Sequence, residues 1–121
     1  MCCLISRLSL KSDRVYCEQI VDAVEKIHMF VEGIDKEAFL KDQKTQSAVI
    51  MQLALIGELA KRVSADTKSA VSVPWKEIAG FRDRAIHDYY QIDLNIAWDT
   101  ITLDLGPLAG ALRKYLERAG R

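Results

Sequence analysis

Apolar side chains recur every three to four residues along most of the chain. From Ser12 or Asp13 they fall at Cys17, Ile20, Val21, Val24, Ile27 and Val31, the single buried stripe of a helix that Gly33 ends. A short turn or helix follows around Lys36 to Leu40. The segment Thr45 to Val63 carries two stripes. Val49, Leu53, Ile56, Ala60 and Val63 form one; Ala48, Met51, Leu55 and Leu59 form another, about 100° away. Such a helix either lies central in a bundle or also faces a second subunit.

Ser64 to Val73 is polar and reads as a turn. Pro74 suits the first position of a helix, where its missing N–H costs nothing. That helix places Trp75, Ile78, Ala79, Arg82, Ile86 and Tyr89 on one stripe. Asp93 is a suitable N-cap for the next, with Leu94, Ala97, Trp98 and Ile101 as its apolar face. Gly106-Pro107 is expected to interrupt it before Leu108, Ala111, Leu112, Tyr115 and Leu116 restart the pattern. No segment alternates with period two for long enough to be a strand. The expected fold is an all-α bundle of four or five helices over residues 13–118, after a poorly ordered extension over residues 1–12.

Composition narrows the class. The 121 residues hold 17 Lys+Arg against 17 Asp+Glu, so the chain is formally neutral. A protein that wraps a polyanion over its whole surface is normally strongly basic, so any nucleic acid must meet a local patch. No apolar run approaches the roughly 18 residues of a membrane span. The opening MCCLISRLSL is too short for a secretory signal. Three cysteines cannot all pair within one chain, which fits a reducing compartment, and the expected location is cytoplasmic.

One position breaks the pattern. Arg82 stands where its stripe calls for an apolar side chain, and an unpaired buried guanidinium is costly. It must be paired, extend to water, or line a cleft. Around it stand Asp83, Arg84, His87, Asp88, Tyr89 and Tyr90, a dense cluster in a chain with two histidines. On an unbroken helix Arg82 and Tyr89 lie within about 20° of each other, and Asp83 and His87 within about 40°. Arg82 and His87 are about 140° apart, so they do not converge by sharing a face.

His87 carries the side chain best suited to proton transfer near neutrality. Asp83, one turn away, could orient it, and the arginines beside it could stabilise charge on a phosphate. A surface histidine near a helix C-terminus is the plainer reading. His28, at the edge of the first stripe, reads as structural. The chain has no C-x-x-C, no H-x-x-x-H and no phosphate-cradling glycine loop, so no metal or cofactor is expected.

The run Arg82-Asp83-Arg84-Ala85-Ile86-His87-Asp88-Tyr89 resembles the R-x4-H-x-Y signature of the HepT-like branch of the HEPN superfamily. Pro74 to Phe81 before it, Ile92-Asp93 and Trp98 after it, and the upstream blocks Lys44 to Val49 and Ile56 to Arg62 resemble the same family. The resemblance extends from about Asp13 to Leu116. It implies a HEPN-type helical bundle that forms a homodimer. It also implies a metal-independent endoribonuclease, the toxin of a type VII-like toxin–antitoxin pair, with RNA rather than DNA as substrate. The implied partner is a minimal nucleotidyltransferase antitoxin that transfers AMP to the tyrosine of H-x-Y, here Tyr89. Arg82, His87 and Asp83 take the catalytic positions and Arg84 that of a phosphate contact. The family commonly has Asn where this chain has Asp83, which adds negative charge near the phosphate.

The chemistry suits such residues. RNA is cut without metal when its own 2′-hydroxyl attacks the adjacent phosphate, which needs a base, an acid and cations. A two-fold dimer supplies two His87 imidazoles and paired Arg82 and Arg84 to one cleft. The alternative is a non-catalytic dimeric binding module that regulates a partner nucleotidyltransferase.

Overall fold

The computed structural model describes the backbone of residues 2–119 and the side chains of residues 13–118. Helix α1 spans Cys2–Phe30, α2 Lys36–Lys41, α3 Gln43–Arg62, α4 Ala65–Ala70 and α5 Trp75–His87. A 3₁₀ turn at Tyr89–Gln91 leads to α6, Leu94–Asp99, which runs through a π-helical turn, Thr100–Asp104, into α7, Leu105–Ala119. Counting the α6–α7 run as one, the described residues form six helices and no strand. The extension expected over residues 1–12 lies outside the residues whose side chains are described.

Local chemistry sets most boundaries. Beyond α1, Gly33 takes φ of 79°, a left-handed conformation that side chains resist. Asp35, Asp42, Ser64 and Asp93 cap the N-termini of α2, α3, α4 and α6, each accepting a backbone N–H. Pro74 stands at the N-cap of α5, one residue before the helix proper.

The core forms where the stripes face one another. Cys17, Ile20, Val24 and Ile27 of α1 meet Val49, Ile56 and Ala60 of α3, with Phe39 and Leu112 closing the ends. Helix α3 packs against both α1 and α5, and α7 packs on α1. The first of the two α3 stripes is therefore buried. The second is not: Leu59 is covered, but Met51 is 67% exposed and Leu55 is also open. Among the described residues, no helix is long and apolar enough to cross a membrane.

Two expectations are corrected. The segment Ser64–Val73 is not a mere turn, because Ala65–Ala70 is helical. A tertiary contact anchors its cap. Asp13 of α1, 2% exposed, accepts the Ser64 N–H at 3.0 Å, the Ser64 hydroxyl, and Thr67 Oγ1 at 2.7 Å. The Tyr115 hydroxyl of α7 lies 3.2 Å from Thr67 Oγ1, so one carboxylate ties three elements. Asp13→Ala strands several buried donors and is expected to cost about 2–3 kcal/mol. Urea unfolding checks this; a loss below about 0.5 kcal/mol, the size of an ordinary surface change, contradicts it.

Gly106-Pro107 does not interrupt the last helix either. The π turn lies just ahead of it, where the Leu105 N–H reaches back to Thr100 O. The wider turn accommodates a ring that would clash with the carbonyl four residues back in a regular helix. His28 Nε2 donates to Ile101 O in that turn at 3.2 Å, which gives this histidine a structural role. Burial, aided by Asp13 and Glu18, pushes the Cys17 thiol up to about 11, and it serves as a core side chain.

Candidate active site

The site is set by a glycine. A Cβ at Gly57 would stand 2.5 Å from Arg82 N and 3.1 Å from Ala79 O, so only glycine lets α3 and α5 cross this closely. The crossing brings the last turn of α3 beside the motif on α5. Arg82 Nε lies 3.5 Å from Glu58 Oε2, and its Nη1 lies 3.4 Å from Asp83 Oδ1. Both carboxylates are shared. Arg62 Nη2 reaches Glu58 Oε1 at 3.4 Å, and Lys61 Nζ reaches Asp83 Oδ1 at 3.0 Å.

Of the three fates open to Arg82, the first is therefore realised: it is paired, with 40% of its side chain still open to solvent. The hydrogen bond from Lys61, with a smaller one from Arg82, holds the Asp83 carboxyl below its ordinary value despite some desolvation. Asp83 is accordingly an anion paired across to α3.

That corrects one expected pairing. Asp83 does not orient His87; its hydrogen bonds go to Lys61 and Arg82. His87 is the last residue of α5 and is exposed, with the Asp88 N–H closing the helix on Arg84 O. No hydrogen bond to its ring is present among the described residues. It stays about 140° round the helix from Arg82.

Arg84 occupies a different face of α5. It lies about 160° from Arg82 on α5, too far round to share a phosphate within one protomer. Its guanidinium stacks over Phe81, 5.3 Å from the ring centre, and Nη2 donates to Glu77 O at 3.3 Å. There it borders a cavity of about 360 Å³ whose other walls include Leu53, Ala85, Asp88 and Ala97.

Tyr89 sits beyond the helix end, so the stripe expected to carry both Arg82 and Tyr89 stops before it reaches the tyrosine. It is nonetheless held on the α3 side, because its hydroxyl lies 3.1 Å from the Ser47 hydroxyl. Tyr90 meets its ring edge-on at 5.5 Å and is 98% exposed. The two phenols thus differ: the Tyr89 hydroxyl is tied to α3, and Tyr90 faces water.

On α3, Ser47, Met51, Leu55, Glu58 and Arg62 fall within about 80° of one another. Exposed Met51 and Leu55 therefore share the face of α3 that carries Glu58, and exposed Ile86 lies one turn after Arg82 on α5. Among the described residues no group of three His, Cys, Asp or Glu side chains could hold a metal ion.

A model of the family described as Ribonuclease HepT-like matches residues 20–117. The chain belongs to the Ribonuclease HepT-like family. It is 40% identical over 105 residues to a Thermococcus cleftensis protein named "Probable ribonuclease HepT", covering 86% of this chain and 96% of that one. It is 36% identical over 110 residues to a protein named "Putative RNase" in Caldanaerobacter subterraneus, covering 90% and 98%. A "Putative RNase" of Methanocaldococcus jannaschii is 38% identical over 92 residues, covering 75% and 76%. No solved structure gives a significant match.

Sequence reasoning placed this HepT-like motif on α5 but missed its neighbours on α3. Glu58 contacts Arg82, Lys61 contacts Asp83, Arg62 contacts Glu58 and Ser47 contacts Tyr89, and none of the four was singled out for chemistry. A signal was present: a glycine in the middle of a long apolar helix marks a close backbone approach, and the residues beside it face whatever approaches.

Proposed function

We propose that this HepT-like chain is a metal-independent endoribonuclease and the toxin of a toxin–antitoxin pair, working as a homodimer. One observation carries the reading. Arg82 stands half-open on a face bordered by the uncovered apolar residues Met51, Leu55 and Ile86, while His87 stands exposed at the end of the same helix. One protomer does not aim both groups at one phosphate. A second copy packed on the apolar rim brings two imidazoles and two Arg82 guanidiniums to a common cleft.

In that cleft the chemistry is a transesterification. One imidazole takes the proton of the RNA 2′-hydroxyl, whose oxygen forms a bond to the adjacent phosphorus. The bond from phosphorus to the 5′-oxygen breaks, and the second imidazole, as imidazolium, gives that oxygen its proton. The Arg82 guanidiniums stabilise the charge that builds on the phosphorane. The products are a 2′,3′-cyclic phosphate and a 5′-hydroxyl. Arg84, on the far side of α5, would meet a flanking part of the strand and not the scissile phosphate.

The partner in this reading is a minimal nucleotidyltransferase. The Tyr89 hydroxyl attacks the α-phosphorus of ATP, pyrophosphate leaves, and AMP remains on the ring oxygen. Tyr89 suits this because it is half-exposed and its hydroxyl is held against α3 by Ser47. The adduct would bring negative charge to the arginine and fill the phosphate site.

Expression without the nucleotidyltransferase is expected to arrest growth, and purified protein to leave cyclic-phosphate ends on RNA in the presence of a chelator. Cleavage abolished by the chelator contradicts the metal-free chemistry. Co-incubation with the transferase and ATP should place the adenylyl group on Tyr89, read by mass spectrometry; modification confined to another residue contradicts that assignment.

One feature favours a second reading, a dimeric binding module without catalysis. Arg82 already holds two carboxylates, Glu58 and Asp83, in the free chain. A wild-type protein that folds, dimerises and leaves RNA intact would establish that reading instead.

A further inference from the structure

The α3–α5 crossing holds five charged side chains in one chain of contacts. Arg62 touches Glu58, Glu58 touches Arg82, Arg82 touches Asp83, and Asp83 touches Lys61. Each carboxylate beside Arg82 is thus matched by its own second cation from the last turn of α3. Three cations against two carboxylates leave the cluster net positive.

We propose that Lys61 is a positioning residue: by taking the charge of Asp83 it leaves the Arg82 guanidinium available to an RNA phosphate. The proposal rests on the ribonuclease reading. Its physical basis is competition. A carboxylate 3.4 Å from a guanidinium occupies the donors that a phosphate needs and repels the phosphate as well. Asp83 lies closer to Lys61, at 3.0 Å, than to Arg82. The Lys61 hydrogen bond is also the largest cause of the lowered Asp83 carboxyl, ahead of Arg82. Arg62 relates to Glu58 in the same way. All of these side chains are part-exposed, so the pairs contribute little to folding and can rearrange when a phosphate arrives.

Lys61 acts through Asp83 and needs no contact with RNA. Removing the carboxylate therefore makes the lysine dispensable. Four full-length proteins test this: wild type, K61M, D83N and K61M/D83N, with K61R as the conservative control. Cleavage of a labelled RNA gives kcat/KM, binding of a fully 2′-O-methylated RNA gives Kd, and circular dichroism melts check folding.

K61M is expected to lower kcat/KM and weaken binding about tenfold, K61R by less than about threefold, and K61M/D83N to match D83N within about threefold. K61M within about twofold of wild type overturns the proposal. So does a K61M loss that persists undiminished on the D83N background, since that marks a direct phosphate contact or a folding defect. If wild type itself does not cleave, the ribonuclease reading fails, and the binding series still decides the coupling between Lys61 and Asp83.

Discussion

His87→Ala is expected to slow RNA cleavage by about 10²- to 10⁴-fold, the range lost when a positioned general acid or base is removed. It is expected to do so without moving the melting temperature. His87 is the exposed last residue of α5, and no hydrogen bond of its ring is seen, so its removal strands no buried partner. Arg82→Ala is expected to cost about 10²- to 10³-fold, the loss of one charge-stabilising donor group. It also releases Glu58 and Asp83 to face the phosphate directly, which raises the penalty further. The double variant should fall well short of the product of the two, because both groups act in one step. Single-turnover cleavage beside a thermal melt separates these effects. A His87→Ala protein that cuts at the wild-type rate removes the imidazole from the mechanism, and with it the reason for needing two copies.

Much of the fold was legible because its stripes are regular. The first α3 stripe, the α1 stripe and the Asp93 cap depend on local period and local hydrogen bonding, and both survive in the folded chain. What was illegible depends on contacts distant in sequence. Helix α4 is anchored by Asp13, some fifty residues earlier, which binds Ser64 and Thr67. The π turn at Thr100–Asp104 carries the helix past Pro107, and proline alone reads as a stop. By period, Met51 and Leu55 fit either a central helix or one facing a second subunit. Their exposure appears only once α1 and α5 have taken the other sides of α3.

The site divides in the same way. Helical rotation alone put Arg82 and His87 on different faces, and the structure keeps them there. Rotation could not choose partners among neighbours. Asp83 lies one turn from His87 and next to Arg82 in sequence, yet its shortest hydrogen bond goes to Lys61 on another helix. Arg84 lies within the motif in sequence, yet its guanidinium stacks on Phe81. Sequence adjacency in a helix is a poor guide to shared chemistry, since neighbours point about 100° apart.

Gly57→Ala is expected to damage stability and activity together, unlike His87→Ala. On propensity alone, alanine for glycine inside a helix should stabilise by about 1 kcal/mol. Here the new methyl would meet Arg82 N at 2.5 Å and Ala79 O at 3.1 Å, both backbone atoms of a helix that cannot bend aside as a side chain can. Helices α3 and α5 must move apart, and overpacking of this kind costs about 1–3 kcal/mol, enough to offset the propensity gain. The movement carries Arg82 away from Glu58, and Asp83 away from Lys61. A displacement near 1 Å at a catalytic group can cost about 10²-fold in rate. Urea unfolding should therefore show a loss, while cleavage by the protein that remains folded falls about 10²-fold. Growth arrest on expression should weaken in parallel. A Gly57→Ala protein with raised stability and undiminished cleavage would show that the crossing has room to spare, and that the placement of Arg82 does not depend on it.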